Sequence, residues 1–299
     1  MKHLILTSAT VFALLNTVHA DEKTLSKNKI SFSKQFISAS KEYEEKKYKE
    51  AFNIYYTAAQ KGDVAAEYEL AAMYHDGVGV EQDIAKAIHW YTQAANNNHA
   101  QAQVELGILY LSGNEIKQDY AKALSLFGKA AQNQNDRGYY FLGRMYWNGY
   151  GTTKDLNKAA KYYEKAASMG HKSAQYALAS MYESGAGVPK DATKAYVLYK
   201  QSADKISWSA YKLALAYLEG NTEIEKDIVL GMKYLEKAAE LHDALALATM
   251  AKIKYHGLYN QKVDKEEALK YYELAAQEYE SVIFQDNDLY HARLSVSKH

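Results

Sequence analysis

One tyrosine, glycine and aspartate pattern returns at nearly constant spacing through this 299-residue chain. The tyrosines stand at intervals of 36, 36, 36, 35 and 38 residues: Tyr74, Tyr110, Tyr146, Tyr182, Tyr217 and Tyr255. A glycine follows each of them: Gly77, Gly113, Gly149, Gly185, Gly220 and Gly257. An aspartate comes next: Asp83, Asp119, Asp155, Asp191, Asp227 and Asp264. A period of this length, held over six units, predicts a solenoid of stacked repeats.

Each unit has the pattern of two helices. In the third unit, Gly138, Leu142 and Tyr146 are spaced by four residues, which places them along one face of a first helix, helix A. A second helix, helix B, follows the glycine loop and ends in small residues such as Ala166 and Ala167. The sequence therefore predicts an all-α solenoid of about six to seven antiparallel helix pairs.

The glycine loops raise the question of a phosphate-binding site, because three of them read Gly-x-Gly. A phosphate-binding loop follows a strand and is needed once, whereas these loops follow helices and recur. Glycine is expected here because it adopts a positive φ without a Cβ clash. Likewise the recurring aspartates are predicted to cap helix B, and the lysines three residues later, such as Lys158, to be solvated surface charges.

No pattern of catalytic or metal-ligating residues accompanies the repeats. The chain lacks HExxH, Gly-x-Ser-x-Gly and P-loop motifs. Histidines such as His99 and His171 fall at predicted helix ends, where they are interpreted as ordinary surface residues. We therefore predict no catalytic residue, no metal site and no cofactor, and a protein that is not an enzyme.

The repeated residues resemble a known family. Residues 66–95, AEYELAAMYHDGVGVEQDIAKAIHWYTQAA, and 174–203, AQYALASMYESGAGVPKDATKAYVLYKQSA, look like Sel-one-like repeats, short relatives of the tetratricopeptide repeat. The resemblance covers about residues 48–279 and implies a right-handed α-solenoid that mediates protein–protein contacts. A cysteine-rich branch of the family, with members described as binding β-lactams, is not matched, because this chain has no cysteine.

Two departures from the family pattern concern the C-terminal repeats. The sixth unit has Ala251 and Lys252 where leucine and glycine are expected, and the fifth has Gly231 in place of alanine. Both predict looser packing at this end of the solenoid.

The N-terminus has the features of a cleavable signal peptide. Residues 1–20, MKHLILTSATVFALLNTVHA, combine a basic start, an apolar run and small residues before a cut after Ala20. The apolar run is shorter than the roughly 20 residues that a helix needs to cross a bilayer. We therefore predict a periplasmic or secreted protein without membrane insertion after signal cleavage.

The other boundaries follow the repeat. Residues 21–64 are predicted to form an N-terminal helical cap and a degenerate repeat, and residues 280–299 a C-terminal helix or tail. Six repeats are predicted to fill residues 65–279: 65–99, 100–135, 136–171, 172–205, 206–242 and 243–279.

Charge argues against nucleic acid as the partner. The chain has 36 Lys plus Arg against 36 Asp plus Glu, so it has no net attraction for polyanions. Arginine, which recognises phosphate in a bidentate manner, occurs only at Arg137, Arg144 and Arg293. The expected partner is another protein.

A binding surface is predicted on a second face of helix A, where residue types differ from unit to unit. In the third unit this face carries residue types common in binding hot spots: Arg137, Tyr140, Arg144 and Trp147. Other units place tyrosines at the position of Tyr140: Tyr68, Tyr176 and Tyr211. Two alternatives stay open: the tyrosines pack between repeats, and the arginines pair with neighbouring acidic residues.

The leading functional prediction is an exported repeat scaffold that mediates protein–protein interaction through its concave surface, as an envelope or host-interaction adaptor. One alternative is a periplasmic immunity protein that binds and neutralises a secreted toxin. A second, a hydrolase acting on cell-wall or β-lactam substrates, has the least support, because no convergent catalytic groups are found.

Overall fold

The computed structural model describes residues 27–278, which form 14 α-helices, one short 3-10 helix and no strand. The first seven helices are α1 (Lys27–Glu44), α2 (Tyr48–Ala59), α3 (Val64–Asp76), α4 (Ile84–Asn96), α5 (Ala100–Ser112), α6 (Tyr120–Gln132) and α7 (Asp136–Asn148). The others are α8 (Leu156–Ser168), α9 (Lys172–Ser184), α10 (Ala192–Ser202), α11 (Ser207–Glu219), α12 (Ile228–Glu240), α13 (Ala244–His256) and α14 (Lys265–Glu278). The predicted signal peptide, 1–20, and the predicted C-terminal segment, 280–299, lie outside the described residues.

The chain divides into two compact units, residues 1–154 and 155–299. The described part of the first contains α1–α7, and that of the second contains α8–α14. Within each unit, every helix packs against its neighbours in sequence, and short loops make these neighbours antiparallel. The predicted all-α solenoid class is confirmed. Helices α3, α5, α7, α9, α11 and α13 are the A helices, and each is followed by its B helix.

Both ends of the loop between helices A and B are built as the sequence predicts. All six loop glycines have a positive φ, between 68° and 77°. All six aspartates cap helix B, because a carboxylate oxygen accepts the backbone N–H three residues later at 2.8–3.0 Å. The loops therefore join helices, and their glycines and carboxylates satisfy backbone needs.

The second glycine of Gly-x-Gly has a different role, which the sequence did not reveal. A Cβ added at Gly79 would lie 2.4 Å from the carbonyl oxygen of Tyr48, the first residue of α2. At Gly151 it would lie 2.7 Å from the carbonyl oxygen of Tyr120, the first residue of α6. The second glycine thus lets the loop of one repeat touch the backbone of the preceding helix B.

The predicted departure of the sixth repeat from the family pattern is wrong, because the residues of this repeat align with the pattern one position earlier in the sequence. Asp264 donates its backbone N–H to the carbonyl of Lys254 at 2.8 Å, a bond that the recurring tyrosine accepts in other repeats. Met250 and Ala251 are therefore the leucine and small residue of this repeat, and both are buried. Lys252 lies one position further on, because the tyrosine of this repeat stands one residue late.

Gly231 does not loosen the fifth repeat either. A Cβ at this position would come within 2.8 Å of the Leu218 side chain, which is almost fully buried. Leu218 fills the space that alanine occupies elsewhere, so the missing methyl group permits close contact between α11 and α12.

The interior of each unit alternates small and large side chains. Helix B contributes one large side chain per repeat, a ring in all but the fifth, and these are almost completely buried: Tyr55, Tyr91, Phe127, Tyr163, Tyr199, Leu235 and Tyr272. Helix A contributes the predicted leucine stripe, with Leu142 5% exposed. Small residues between them allow close approach: a Cβ at Gly107 would lie 2.6 Å from the Phe127 ring.

Candidate partner-binding surface

The predicted surface residues of the third repeat have different surroundings. Arg137 forms an ion pair with Glu105, whose side chain is 6% exposed. Glu105 has left water almost completely, so a cationic partner offsets its desolvation. The alternative that an arginine pairs with a neighbouring acid is the observed one for Arg137, and this residue joins repeats two and three.

Tyr68 is also a packing residue. It is 7% exposed, and its ring stacks on His99 with centroids 4.7 Å apart. Burial raises the pKa of the Tyr68 hydroxyl. Its aromatic surface is therefore buried within the first unit.

Tyr176 and Tyr211 lie in the second unit and are half-buried. The Tyr176 ring lies 6.2 Å from the ring of Tyr199, and desolvation raises its pKa. The Tyr211 hydroxyl forms a hydrogen bond with Thr249 at 3.2 Å. Tyr176 therefore packs between the two helices of its own repeat, and Tyr211 joins two repeats.

Tyr140, Arg144 and Trp147 form a continuous half-buried strip along α7. The Arg144 guanidinium lies 6.0 Å from the Tyr140 ring centroid and 5.5 Å from that of Phe141. The structure adds a residue that the sequence did not suggest: the Lys154 ammonium lies 6.0 Å from the Trp147 ring centroid. We call Tyr140, Arg144, Trp147 and Lys154 the α7 patch.

The recurring lysine of helix B is more than a solvated charge. Lys86 pairs with the cap Asp83 at 3.0 Å, and its ammonium lies 5.3 Å from the Tyr74 ring centroid. The same arrangement recurs in two more repeats: Lys122 with Asp119 and Tyr110, and Lys194 with Asp191 and Tyr182. The interpretation as merely solvated is therefore incomplete, because each lysine links the cap of helix B to the tyrosine of helix A.

Two histidines are caps of helix A, and their interpretation as ordinary surface residues is wrong. The Nδ1 atoms of His99 and His171 accept the backbone N–H of Ala102 and Ala174, both at 3.2 Å. An accepting Nδ1 requires the ring to be neutral. Burial lowers the pKa of His99 to about 4. In other repeats the same position is aspartate or asparagine. An alignment of the repeats with one another could therefore have predicted that these histidines cap helix A.

A buried carboxyl group lies in α3. Glu69 is 3% exposed, and desolvation raises its pKa to about 7. The buried Tyr91 hydroxyl has no hydrogen-bond partner among residues 27–278. Phe127, which lacks a hydroxyl, occupies the same position in the next repeat, so packing rather than hydrogen bonding selects the ring.

Residues 27–278 contain neither a candidate metal centre nor a candidate membrane span. Histidine, aspartate and glutamate side chains do not gather there in a group able to hold a metal ion. None of the helices in this range is both long and apolar enough to cross a bilayer.

The repeated geometry agrees with a family profile. The Sel1 repeat profile matches seven segments: 42–63, 64–99, 100–135, 136–171, 172–206, 209–243 and 244–279. This chain belongs to the Sel1 repeat family. Proteins built from Sel1 repeats typically serve protein–protein interaction, so the coarse function of this Sel1 repeat protein is that of a scaffold.

Two solved structures illustrate the likeness. A Sel1 repeat protein from Oxalobacter formigenes is 26% identical with a TM-score of 0.77, over 82% of this chain and 100% of that one. A protective antigen of uropathogenic Escherichia coli with an SLR fold is 27% identical with a TM-score of 0.69, over 86% of this chain. This chain spans 56% of the length of the antigen. Among curated protein sequences, no significant match was found.

Proposed function

We propose that this protein is an exported scaffold that binds another protein through the α7 patch, as an adaptor in the cell envelope or in host interaction. The observation that carries the proposal is the composition of the patch. The residue types of Arg144 and Trp147 do not recur at their positions in the other repeats, and the core of the third repeat is formed without them by residues such as Leu142 and Met145. Tryptophan, tyrosine and arginine also dominate binding hot spots.

The double variant Trp147→Ala plus Arg144→Ala tests the binding site. We expect it to abolish capture of the natural partner, identified by crosslinking in envelope extract, while helicity and melting temperature stay close to those of the wild type. Lys122→Ala is the control, because this lysine also lies over a ring but belongs to the repeat pattern. Capture by the double variant at wild-type affinity would contradict the proposal.

Export is tested separately. Expressed from its own start in a bacterial host, the protein should be recovered from the periplasm or medium, with Asp21 as the first residue of the mature chain. A cytosolic protein that keeps residues 1–20 would remove export from the proposal and leave the scaffold role in place.

An immunity role belongs to the same class, since it also requires the binding of a protein. Protection of cells against a co-produced toxin, lost in the Trp147→Ala plus Arg144→Ala variant, would favour it over the adaptor. Turnover of cell-wall or β-lactam substrates by the purified protein would instead support the hydrolase alternative.

A further inference from the structure

Three lysines that lie over aromatic rings, and Arg137, are neutralised by a carboxylate. Lys86, Lys122 and Lys194 pair with the aspartate that caps their own helix, at 3.0, 3.6 and 3.1 Å. Arg137 pairs with Glu105. For these side chains, the positive charge is already part of the intramolecular structure.

Arg144 and Lys154 differ from this group, as do Lys200, Lys226 and Lys265, which lie over Tyr217, Tyr259 and Tyr255. Among these cations, Arg144 and Lys154 share one patch with a tryptophan. Their charged ends contact the rings of Tyr140, Phe141 and Trp147, and within residues 27–278 neither forms an ion pair with a carboxylate. Arg144 stands one helical turn before Trp147, and Lys154 lies over the Trp147 ring. The α7 patch therefore combines half-buried aromatic rings with two positive charges that no carboxylate of residues 27–278 neutralises.

Comparison between repeats shows that Lys154 is not needed to close its loop. The equivalent residues in the first two repeats are Gln82 and Gln118. Their side-chain amides donate to the backbone carbonyls of His75 and Leu111, at 2.7 and 2.9 Å. An amide at this place stabilises the loop, whereas Lys154 carries its ammonium to the neighbouring tryptophan ring.

We propose that the α7 patch binds an acidic segment of the partner protein, with carboxylates contacting Arg144 and Lys154 and an apolar side chain packing on Trp147. This inference rests on the proposed function, because it specifies the chemistry of the partner at the same surface. The carboxylates of the partner would supply the negative charge that neither cation has beside it in residues 27–278. The rings lower the local dielectric and strengthen this attraction.

Carboxylate fits this surface better than nucleic-acid phosphate. The whole chain has equal numbers of acidic and basic side chains and three arginines, whereas nucleic-acid binding requires many basic contacts along a backbone. Two cations over the aromatic rings of one patch match a short segment with one or two carboxylates.

The test selects 12-residue peptides from a random displayed library on the full-length protein and measures the enriched sequences as soluble peptides by calorimetry. We expect aspartate or glutamate next to leucine, phenylalanine or another apolar residue. Arg144→Gln and Lys154→Gln should each weaken binding by about threefold to tenfold. Changing the peptide acids to amides should cause a similar loss that the double variant no longer shows.

Two controls keep the result specific. Lys154→Gln restores the side chain that the first two repeats already accommodate, so the fold should be unaffected. Lys122→Gln removes a lysine that also lies over a ring but is already paired with Asp119, and it should not change peptide affinity. Arg144→Glu plus Lys154→Glu should reverse the preference and bind the lysine versions of the peptides.

Several outcomes would overturn this inference. They are enrichment of neutral or basic peptides, acidic peptides that bind Arg144→Gln and Lys154→Gln at wild-type affinity, and no enrichment at all. So would an oligonucleotide that binds in a manner dependent on Arg144 and Lys154 while acidic peptides do not. Neutral peptides whose binding is lost in Trp147→Ala would disprove the acidic partner but leave the proposed function intact.

Discussion

At the scale of the residue, two buried titratable groups of the first unit give stability opposite dependences on pH. The carboxyl of Glu69 is desolvated, so its neutral form is favoured and its pKa is raised to about 7. The imidazole of His99 is desolvated too, so its neutral form is favoured and its pKa is lowered to about 4. Each group therefore destabilises the fold at the pH where it must carry a charge.

Glu69→Gln should relieve a loss of stability at neutral and alkaline pH. The carboxyl has an ordinary pKa near 4.5 when unfolded and about 7 when folded, so the folded state binds more protons between these values. The contribution of Glu69 to the free energy of unfolding is therefore fully present below about pH 4.5. It is lost as the pH rises through 7, which lowers stability by about 2–3 kcal/mol. Urea unfolding at pH 5 and pH 8 measures this difference, and a wild type and variant with equal pH dependence would contradict it.

His99→Asn should remove a loss of stability in acid. The unfolded imidazole titrates near 6.5 and the folded one near 4, so the unfolded state binds more protons between these values. The contribution of His99 to the free energy of unfolding is fully present above about pH 6.5. It is lost as the pH decreases towards 4, which lowers stability by about 3 kcal/mol. Asparagine preserves the cap, as Asn135 does in the third repeat. Unfolding at pH 7 and pH 4.5 should show a smaller loss for the variant than for the wild type.

At the scale of the element, the helix pair is defined by its ends as much as by its apolar face. A glycine with positive φ ends helix A, an aspartate begins helix B, and a lysine contacts both the cap and the tyrosine of helix A. In the first repeat these residues are Gly77, Asp83, Lys86 and Tyr74. The element therefore tolerates wide variation on the remaining face of helix A, where the α7 patch lies.

Two glycine-to-alanine changes in the first unit should have opposite effects. Gly151 has φ 66°, and a Cβ there would lie 2.7 Å from the Tyr120 carbonyl, so Gly151→Ala should destabilise by more than about 1 kcal/mol. Gly128 lies within α6 with open space around it, so Gly128→Ala should stabilise by about 0.5–1 kcal/mol. Thermal unfolding of both variants checks the signs, and equal shifts would contradict the assigned role of the second glycine.

At the scale of the whole molecule, stability and the proposed binding use different residues of the same repeat. Each unit buries a continuous series of leucine, alanine and large rings between neighbouring helices, so no single pocket is required to hold the chain together. The balance of charge gives the protein no general attraction for polyanions or acidic surfaces. Specific binding must therefore come from local patches such as the proposed α7 patch.

The sequence by itself determined the helix pairs, the glycine turns, the aspartate caps and the family, because each depends on local backbone conformation repeated in register. Periodicity also identified Leu142 as buried. It could not assign partners to charges, since Arg137 and Glu105 meet only when two repeats stack.

Tertiary structure alone decided three other points. It desolvated the His99 cap, placed the second glycine against a neighbouring backbone, and separated Arg137, which is paired, from Arg144, which forms no ion pair within residues 27–278. The loop bond from Asp264 to Lys254 also corrected the register of the sixth repeat. Desolvation, close approach and ion pairing depend on distances that packing sets and local pattern does not.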